Sequence, residues 1–125
     1  MWILVVEGDG QLKAQITTIL RQGGQRADTA ENLCEAVRAL MREPFHLLMM
    51  DIQGIGLPCE TILGTLRAVA PALPVVLIAP DPHGPEAARW TAAGAFHILS
   101  KPLDPREMLE TVVRAAASAR QPTAS

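Results

Sequence analysis

Cysteine is scarce in this chain of 125 residues, and its scarcity excludes two classes of structure. Only Cys34 and Cys59 are present. Two cysteines without a recognisable spacing are too few for a disulfide framework or for a cysteine-based zinc site. Both are therefore expected to be reduced thiols, which is typical of a cytoplasmic protein.

Long apolar runs and an excess of charge of one sign are also missing. No stretch approaches the roughly 18 apolar residues that a membrane-spanning helix needs, and the N-terminus enters an apolar run without the basic segment of a signal peptide. The formal net charge of −2 provides no basic surface for nucleic acid. We therefore expect a cytoplasmic protein that contacts neither a membrane nor nucleic acid directly.

The chain does have enough apolar material for a folded core. Hydrophobic residues make up 49% of it and charged residues 19%, and its length is close to the commonest domain size. We expect one domain over residues 1–119, followed by a frayed tail or the start of a linker at residues 120–125.

Five short apolar runs alternate with five segments of helical periodicity. Three of the runs are continuously hydrophobic, as strands buried on both faces of a parallel sheet are. The five predicted strands cover residues 2–6, 25–28, 46–50, 74–79 and 95–99. The fourth helix is predicted at residues 85–93, and the apolar stripes of the other four are Leu12, Ile16, Ile19 and Leu20; Leu33, Val37, Leu40 and Met41; Ile62, Leu63 and Leu66; and Met108, Leu109, Val112, Val113 and Ala116.

This alternation predicts an α/β fold with a doubly wound parallel sheet and helices on both faces. In such sheets ligands bind at the carboxyl ends of the strands. The segments to inspect for chemistry are therefore residues 7–10, 51–54, 79–82 and 100–102.

Two acids and a lysine occupy these strand ends. Asp51 and Glu7 each follow a buried run, and Lys101 follows the fifth run directly before Pro102. A carboxylate can act as a nucleophile toward a phosphoryl group when a lysine and a divalent cation, such as Mg²⁺, neutralise its oxygens. The alternative is that the acids are merely solvated and that Lys101 pairs with one of them.

Three segments carry a resemblance to a known family. Residues 3–7 (ILVVE), 46–52 (HLLMMDI) and 94–102 (GAFHILSKP) resemble, in order and spacing, the motifs of response-regulator receiver domains of two-component signalling. The resemblance runs from about residue 2 to residue 118. It implies a three-layer, flavodoxin-like fold in which five parallel strands follow the order 2-1-3-4-5.

The resemblance also implies a function. Asp51 would accept a phosphoryl group from a sensor histidine kinase or a phosphotransfer protein, and Lys101 would pair with the phosphoryl oxygens. Mg²⁺ would be held by Glu7, Asp51 and the backbone carbonyl of Gln53. The Lys101–Pro102 peptide is expected to be cis. Such a domain is not an enzyme, beyond catalysing its own phosphorylation and dephosphorylation.

Three positions depart from the family pattern. Gly8 replaces the acid that usually ligates the metal, and Asp9 could substitute only if the loop rearranges. Ala79 and Ile98 replace the hydroxyl and the aromatic residue of the usual switch pair. Mg²⁺ binding is therefore expected to be weak or absent. Either Asp51 is phosphorylated and signals by another route, or the domain is a pseudo-receiver that acts as a protein-interaction module without phosphorylation.

The output surface of the family is formed by the fourth helix, the fifth strand and the fifth helix. The resemblance implies that a partner, an output domain or a second copy of the chain docks there. Trp90 and His97 are the candidate interface residues, provided that they are exposed. The alternative for Trp90 is that it packs inward, into a core that is short of large side chains.

Overall fold

The computed structural model describes residues 1–53 and 56–120, which form a regular alternation of strands and helices. The strands are β1 (Trp2–Val6), β2 (Arg26–Ala30), β3 (Leu47–Asp51), β4 (Val75–Ala79) and β5 (His97–Ser100). The helices are α1 (Gly10–Gln22), α2 (Leu33–Arg42), α3 (Cys59–Val69), α4 (Pro85–Ala92) and α5 (Pro105–Arg120).

All strand pairings are parallel, and the order in the sheet is β2-β1-β3-β4-β5. The predicted α/β class, the doubly wound architecture and the strand order are therefore confirmed. Parallel pairing places the carboxyl ends of all five strands at one edge, where the acids and the lysine were expected to meet.

The apolar core lies on both faces of this sheet. Leu4, Leu48 and Leu77 belong to a cluster that packs against α2, α3 and α4. Their strand neighbours, such as Ile3 and Met49, belong to a second cluster with α1 and α5. Because side chains alternate between the faces of a strand, burial on both sides requires the continuous apolar runs that the sequence shows.

β1 has the predicted bounds, and the other four strands differ from theirs: β3 and β4 by one residue at one or both ends, β2 and β5 by up to two. β2 begins at Arg26 and continues to Ala30, since each of its five residues pairs with one residue of β1. β5 begins at His97, because Ala95 still belongs to the turn after α4, where its N–H donates to the Trp90 carbonyl at 3.1 Å. Local hydrophobicity did not show either boundary, because pairing with the neighbouring strand sets both.

Two helix stripes include residues that the structure leaves exposed. Met41 is 74% exposed and Val113 is 64% exposed, so the prediction that both face the sheet was wrong. On α5 the buried hydrophobic residues are Met108, Val112 and Ala115. A step of one residue turns a helix by about 100°, which moves Val113 away from that face.

The last helix ends one residue beyond the predicted end of the domain, which stays a prediction. α5 includes Arg120, which the sequence placed in the tail, and the rest of the predicted tail, residues 121–125, lies outside the described residues. Among the helices that the structure describes, none has both the length and the apolar character to cross a bilayer.

Candidate functional site

The carboxylate of Asp51 lies at the centre of the site. Asp51 is the last residue of β3 and pairs with Ile78 of β4. Only 8% of the residue is exposed, because neighbouring strands flank it on both sides. A carboxylate with so little access to water needs hydrogen-bond donors close to its oxygens.

Lys101 and Gln53 supply these donors. The Lys101 ammonium donates to Oδ2 of Asp51 at 2.6 Å, and the Gln53 backbone N–H donates to Oδ1 at 2.9 Å. The predicted convergence of Asp51 and Lys101 is thus confirmed, although the two residues are 50 positions apart. The N–H two residues after an aspartate is the usual partner of its side chain in a turn.

The side chain of Gln53 is a feature that sequence reasoning missed. Its Oε1 accepts a hydrogen bond from the Lys101 ammonium at 2.7 Å, whereas the sequence pointed only to its backbone carbonyl. Gln53 therefore contacts Asp51 through its main chain and Lys101 through its amide. The only sequence signal was its place two residues after a strand-end acid.

Lys101 is held in place by its main chain as well as by its ammonium. Its N–H donates to the carbonyl oxygen of Ala79 at 3.2 Å, which ties the end of β5 to the end of β4. The Lys101–Pro102 peptide is cis, as expected. Asp104 directly precedes α5, and its Oδ1 accepts a hydrogen bond from the Arg106 N–H at 3.0 Å.

Glu7 contributes a second carboxylate. Its Oε1 accepts a hydrogen bond from the Asp9 N–H at 3.0 Å, while its Oε2 is buried and has no hydrogen-bond partner among the described residues. Glu7, Gly8, Asp51 and Gln53 all line one cavity of about 460 Å³. An acceptor oxygen without a donor, beside this cavity, suits a cation or a cation-bound water.

Asp9 lies elsewhere. It precedes α1 and caps this helix, with Oδ1 accepting from the Gln11 N–H at 2.9 Å. It lines a separate groove together with Lys101 and Pro102, and it is absent from the lining of the cavity that Glu7 and Asp51 share. In this conformation Asp9 does not supply the carboxylate that is missing at position 8.

The residues around the cavity fit a magnesium site with few protein ligands. Magnesium takes oxygen ligands and commonly retains several waters, and Glu7, Asp51 and the Gln53 carbonyl can offer three oxygens. Over residues 1–53 and 56–120, no group of three or more histidine, cysteine, aspartate and glutamate side chains is placed to hold a metal. The two carboxylates and one carbonyl therefore make a sparse ligand set.

The two positions at which the family pattern predicts the switch pair are apolar and packed. Ala79 ends β4 and is 1% exposed, and Ile98 in β5 packs against the same core cluster. The connection from β4 to α4 contains Pro80 and Pro82, and α4 itself begins with Pro85. Proline fixes the backbone φ angle. Asp81 tightens this connection by accepting a hydrogen bond from the His83 N–H at 3.0 Å.

Of the two candidate interface residues, the structure excludes Trp90 as an exposed anchor. Trp90 is 3% exposed and belongs to the cluster between the sheet and α2–α4, so the inward alternative is the correct one. His97 is half-buried on β5, with its Nε2 3.9 Å from Oε1 of Glu107 on α5. Burial lowers the pKa of His97 below its usual 6.5, with a further lowering by Arg114 that Glu107 opposes.

A family model described as response regulator receiver domain matches residues 3–113. Among curated proteins, the chain is 31% identical over 114 residues to the response regulator protein FleR of Pseudomonas aeruginosa. This match covers 91% of the chain and 24% of FleR. The chain thus spans about a quarter of the length of the curated relatives that it matches.

Solved structures share the fold. A CheY-like receiver domain protein of Methanospirillum hungatei superposes with a TM-score of 0.82 at 21% identity, over 94% of each chain. The receiver domain of the sensor histidine kinase PA1611 of Pseudomonas aeruginosa superposes with a TM-score of 0.81 at 22% identity, over 93% of this chain and 97% of that one. The PA1611 structure has a magnesium ion coordinated in its active site cleft.

Proposed function

Because the chain belongs to the response regulator receiver domain family, we propose that Asp51 accepts a phosphoryl group from a phosphohistidine of a sensor histidine kinase or a phosphotransfer protein. The observation that carries the proposal is the contact of 2.6 Å between Lys101 and the shielded Asp51 carboxylate. A lysine in this position can neutralise the charge that an incoming phosphoryl group adds.

The reaction needs one nucleophile and one leaving group. A carboxylate oxygen of Asp51 attacks phosphorus, the bond between phosphorus and the imidazole nitrogen of the donor breaks, and an acyl phosphate forms on Asp51. Lys101 moves its ammonium from the carboxylate to a phosphoryl oxygen. Mg²⁺ held by Glu7, Asp51 and the Gln53 carbonyl would supply further positive charge to the phosphoryl oxygens.

Weak magnesium binding is part of the proposal. Gly8 brings no carboxylate to the cavity that it lines with Glu7 and Asp51, and Asp9 lies in another groove. Affinity for divalent cations depends on the number and charge of the ligands. Phosphorylation is therefore expected to need higher Mg²⁺ concentrations than a site with a third carboxylate would.

A phosphorylation-independent pseudo-receiver is the second candidate function. Ala79 has no hydroxyl to bond a phosphoryl oxygen, and Ile98 packs into the core. The prolines of the β4–α4 connection further restrict its rearrangement. These features favour a domain that presents one conformation of its α4–β5–α5 surface to a partner, an output domain or a second copy of the chain.

Intact-protein mass spectrometry after incubation with acetyl phosphate separates the two candidates. We expect a phosphoryl adduct that needs Mg²⁺ and disappears in Asp51→Asn. Asp104→Asn is the matched control, since asparagine caps a helix as well as aspartate does, and it should keep the adduct. A folded protein that forms no adduct at any Mg²⁺ concentration would favour the pseudo-receiver.

A further inference from the structure

Gln53, Lys101 and Asp51 form a closed ring of hydrogen bonds. The Gln53 N–H donates to Oδ1 of Asp51 at 2.9 Å, the Lys101 ammonium donates to Oδ2 at 2.6 Å, and the same ammonium donates to Oε1 of Gln53 at 2.7 Å. Both carboxylate oxygens are thus engaged. The ring links the end of β3 to the end of β5.

Holding a lysine ammonium between two acceptors has an entropic cost. Its four-carbon stem loses rotamer entropy when it is fixed, and the Lys101 side chain is 28% exposed, so water competes for its protons. One contact to Asp51 fixes the distance between the two charges but leaves the ammonium free to pivot about that oxygen. A second acceptor on Gln53 restricts the pivoting.

The second contact becomes important when the phosphoryl group arrives. Attack by an Asp51 oxygen turns the carboxylate into an acyl phosphate, so the bond from Lys101 to Asp51 must be replaced by one to a phosphoryl oxygen. The bond from Lys101 to the Gln53 amide can persist through this change, because Gln53 is not a reacting group. Ala79, at the end of the adjacent β4, offers no side-chain acceptor or donor to take over this function.

We propose that Gln53 is a positioning residue whose side-chain amide holds the Lys101 ammonium beside Asp51 before and during phosphoryl transfer. The inference about transfer rests on the proposed phosphorylation of Asp51. The inference about the resting position of Lys101 stands without it, since the ring is present before any phosphoryl group is bound.

The test compares two substitutions at position 53. Gln53→Met keeps the length of the side chain and the backbone N–H but removes the acceptor, whereas Gln53→Glu keeps an acceptor. Gln53 is exposed, so both variants should fold. Gln22→Met, at an exposed position at the end of α1, is the matched control for the loss of a glutamine.

The first measurement is the proton–nitrogen NMR correlation of the Lys101 ammonium, assigned by its loss in Lys101→Arg. An ammonium held by two acceptors exchanges its protons slowly enough to give a signal. We expect this signal in the parent chain, in Gln22→Met and in Gln53→Glu, and its loss in Gln53→Met. An undiminished signal in Gln53→Met would overturn the positioning role.

The second measurement is the phosphorylation rate with acetyl phosphate and saturating Mg²⁺. A lost hydrogen bond to a charged group should slow the reaction of Gln53→Met about tenfold, and Gln22→Met should react at the parent rate. Equal rates in Gln53→Met and the parent would overturn the role in transfer. If the parent forms no adduct at all, the proposed function fails, whereas the NMR result still decides whether Gln53 positions Lys101.

Discussion

At the scale of single residues, Gly8 decides how many charges face the cavity beside Asp51. It lies between Glu7 and Asp9 and lines the cavity that Glu7 shares with Asp51. A Cβ at Gly8 would lie 3.4 Å from the backbone oxygen of Glu31, at the edge of ordinary van der Waals contact. The backbone at position 8 therefore accommodates a side chain. Steric crowding does not explain why this position carries no carboxylate.

Gly8→Asp should strengthen magnesium binding. A third carboxylate beside the cavity adds a charged oxygen ligand, and we expect the dissociation constant to fall by a factor on the order of ten. Isothermal titration calorimetry with MgCl₂ measures the change. Gly10→Asp adds the same charge two residues further on, at a position that does not line the cavity, and should change the affinity much less. Equal gains in Mg²⁺ affinity in both variants would mean that the added negative charge strengthens binding wherever it is placed.

At the scale of elements, the contact between β5 and α5 carries a partly buried histidine. His97 lies on β5, and Glu107 and Arg114 of α5 are its charged neighbours. Burial lowers the pKa of His97 in the folded state, Arg114 lowers it further, and Glu107 acts in the opposite direction. The folded protein therefore binds fewer protons at His97 than the unfolded chain does once the pH falls to about 6.5.

Replacement of His97 should flatten the pH dependence of stability. The contribution of the neutral imidazole is fully present above the unfolded pKa of 6.5 and is lost as the pH falls from there toward the lowered folded pKa. We expect the free energy of unfolding to drop less between about pH 7.5 and about pH 5.5 in His97→Gln than in the parent. Urea titrations at both pH values measure this, with the exposed His83→Gln as the control. If the free energy of unfolding of His97→Gln depended on pH as steeply as that of the parent, the lowered pKa of His97 would be contradicted.

At the scale of the whole molecule, the residues that stabilise the fold are largely distinct from those of the site. Two apolar clusters hold the sheet from both faces, whereas Asp51, Glu7 and Lys101 lie at one edge. Removal of divalent cations should therefore leave the domain folded. A ligand that binds only the folded state still stabilises it, by an amount that depends on the ratio of its concentration to its dissociation constant.

Mg²⁺ should raise the midpoint of thermal unfolding through the Asp51 site. At a concentration about ten times the dissociation constant, the gain is about 1.4 kcal/mol, or about 5 °C for a domain of this size. Circular dichroism at rising MgCl₂ concentrations measures the shift against an EDTA-treated sample. The shift should vanish in Asp51→Asn and persist in Asp104→Asn. A shift of equal size in both variants would place the bound ion elsewhere.

The sequence alone determined the architecture and the residues that meet at its edge. Continuous apolar runs such as residues 75–78 and the three-to-four spacing of Ile62 and Leu66 are local patterns, and each is sufficient to identify an element and its buried face. The parallel sheet that follows from their alternation brings strand ends together whatever their separation along the chain. For this reason Asp51 and Lys101 could be paired from the sequence, and the resemblance to the receiver family added the strand order.

Only the tertiary structure decided where individual side chains point. It buries Trp90, leaves Met41 and Val113 exposed, and separates Asp9 from the cavity of Glu7. It also brings the amide of Gln53 to Lys101, a contact between residues 48 positions apart. The physical reason is that the orientation of a side chain depends on the packing of the neighbouring elements and on the hydrogen bonds within reach. Neither is encoded in the periodicity of the segment that carries the residue.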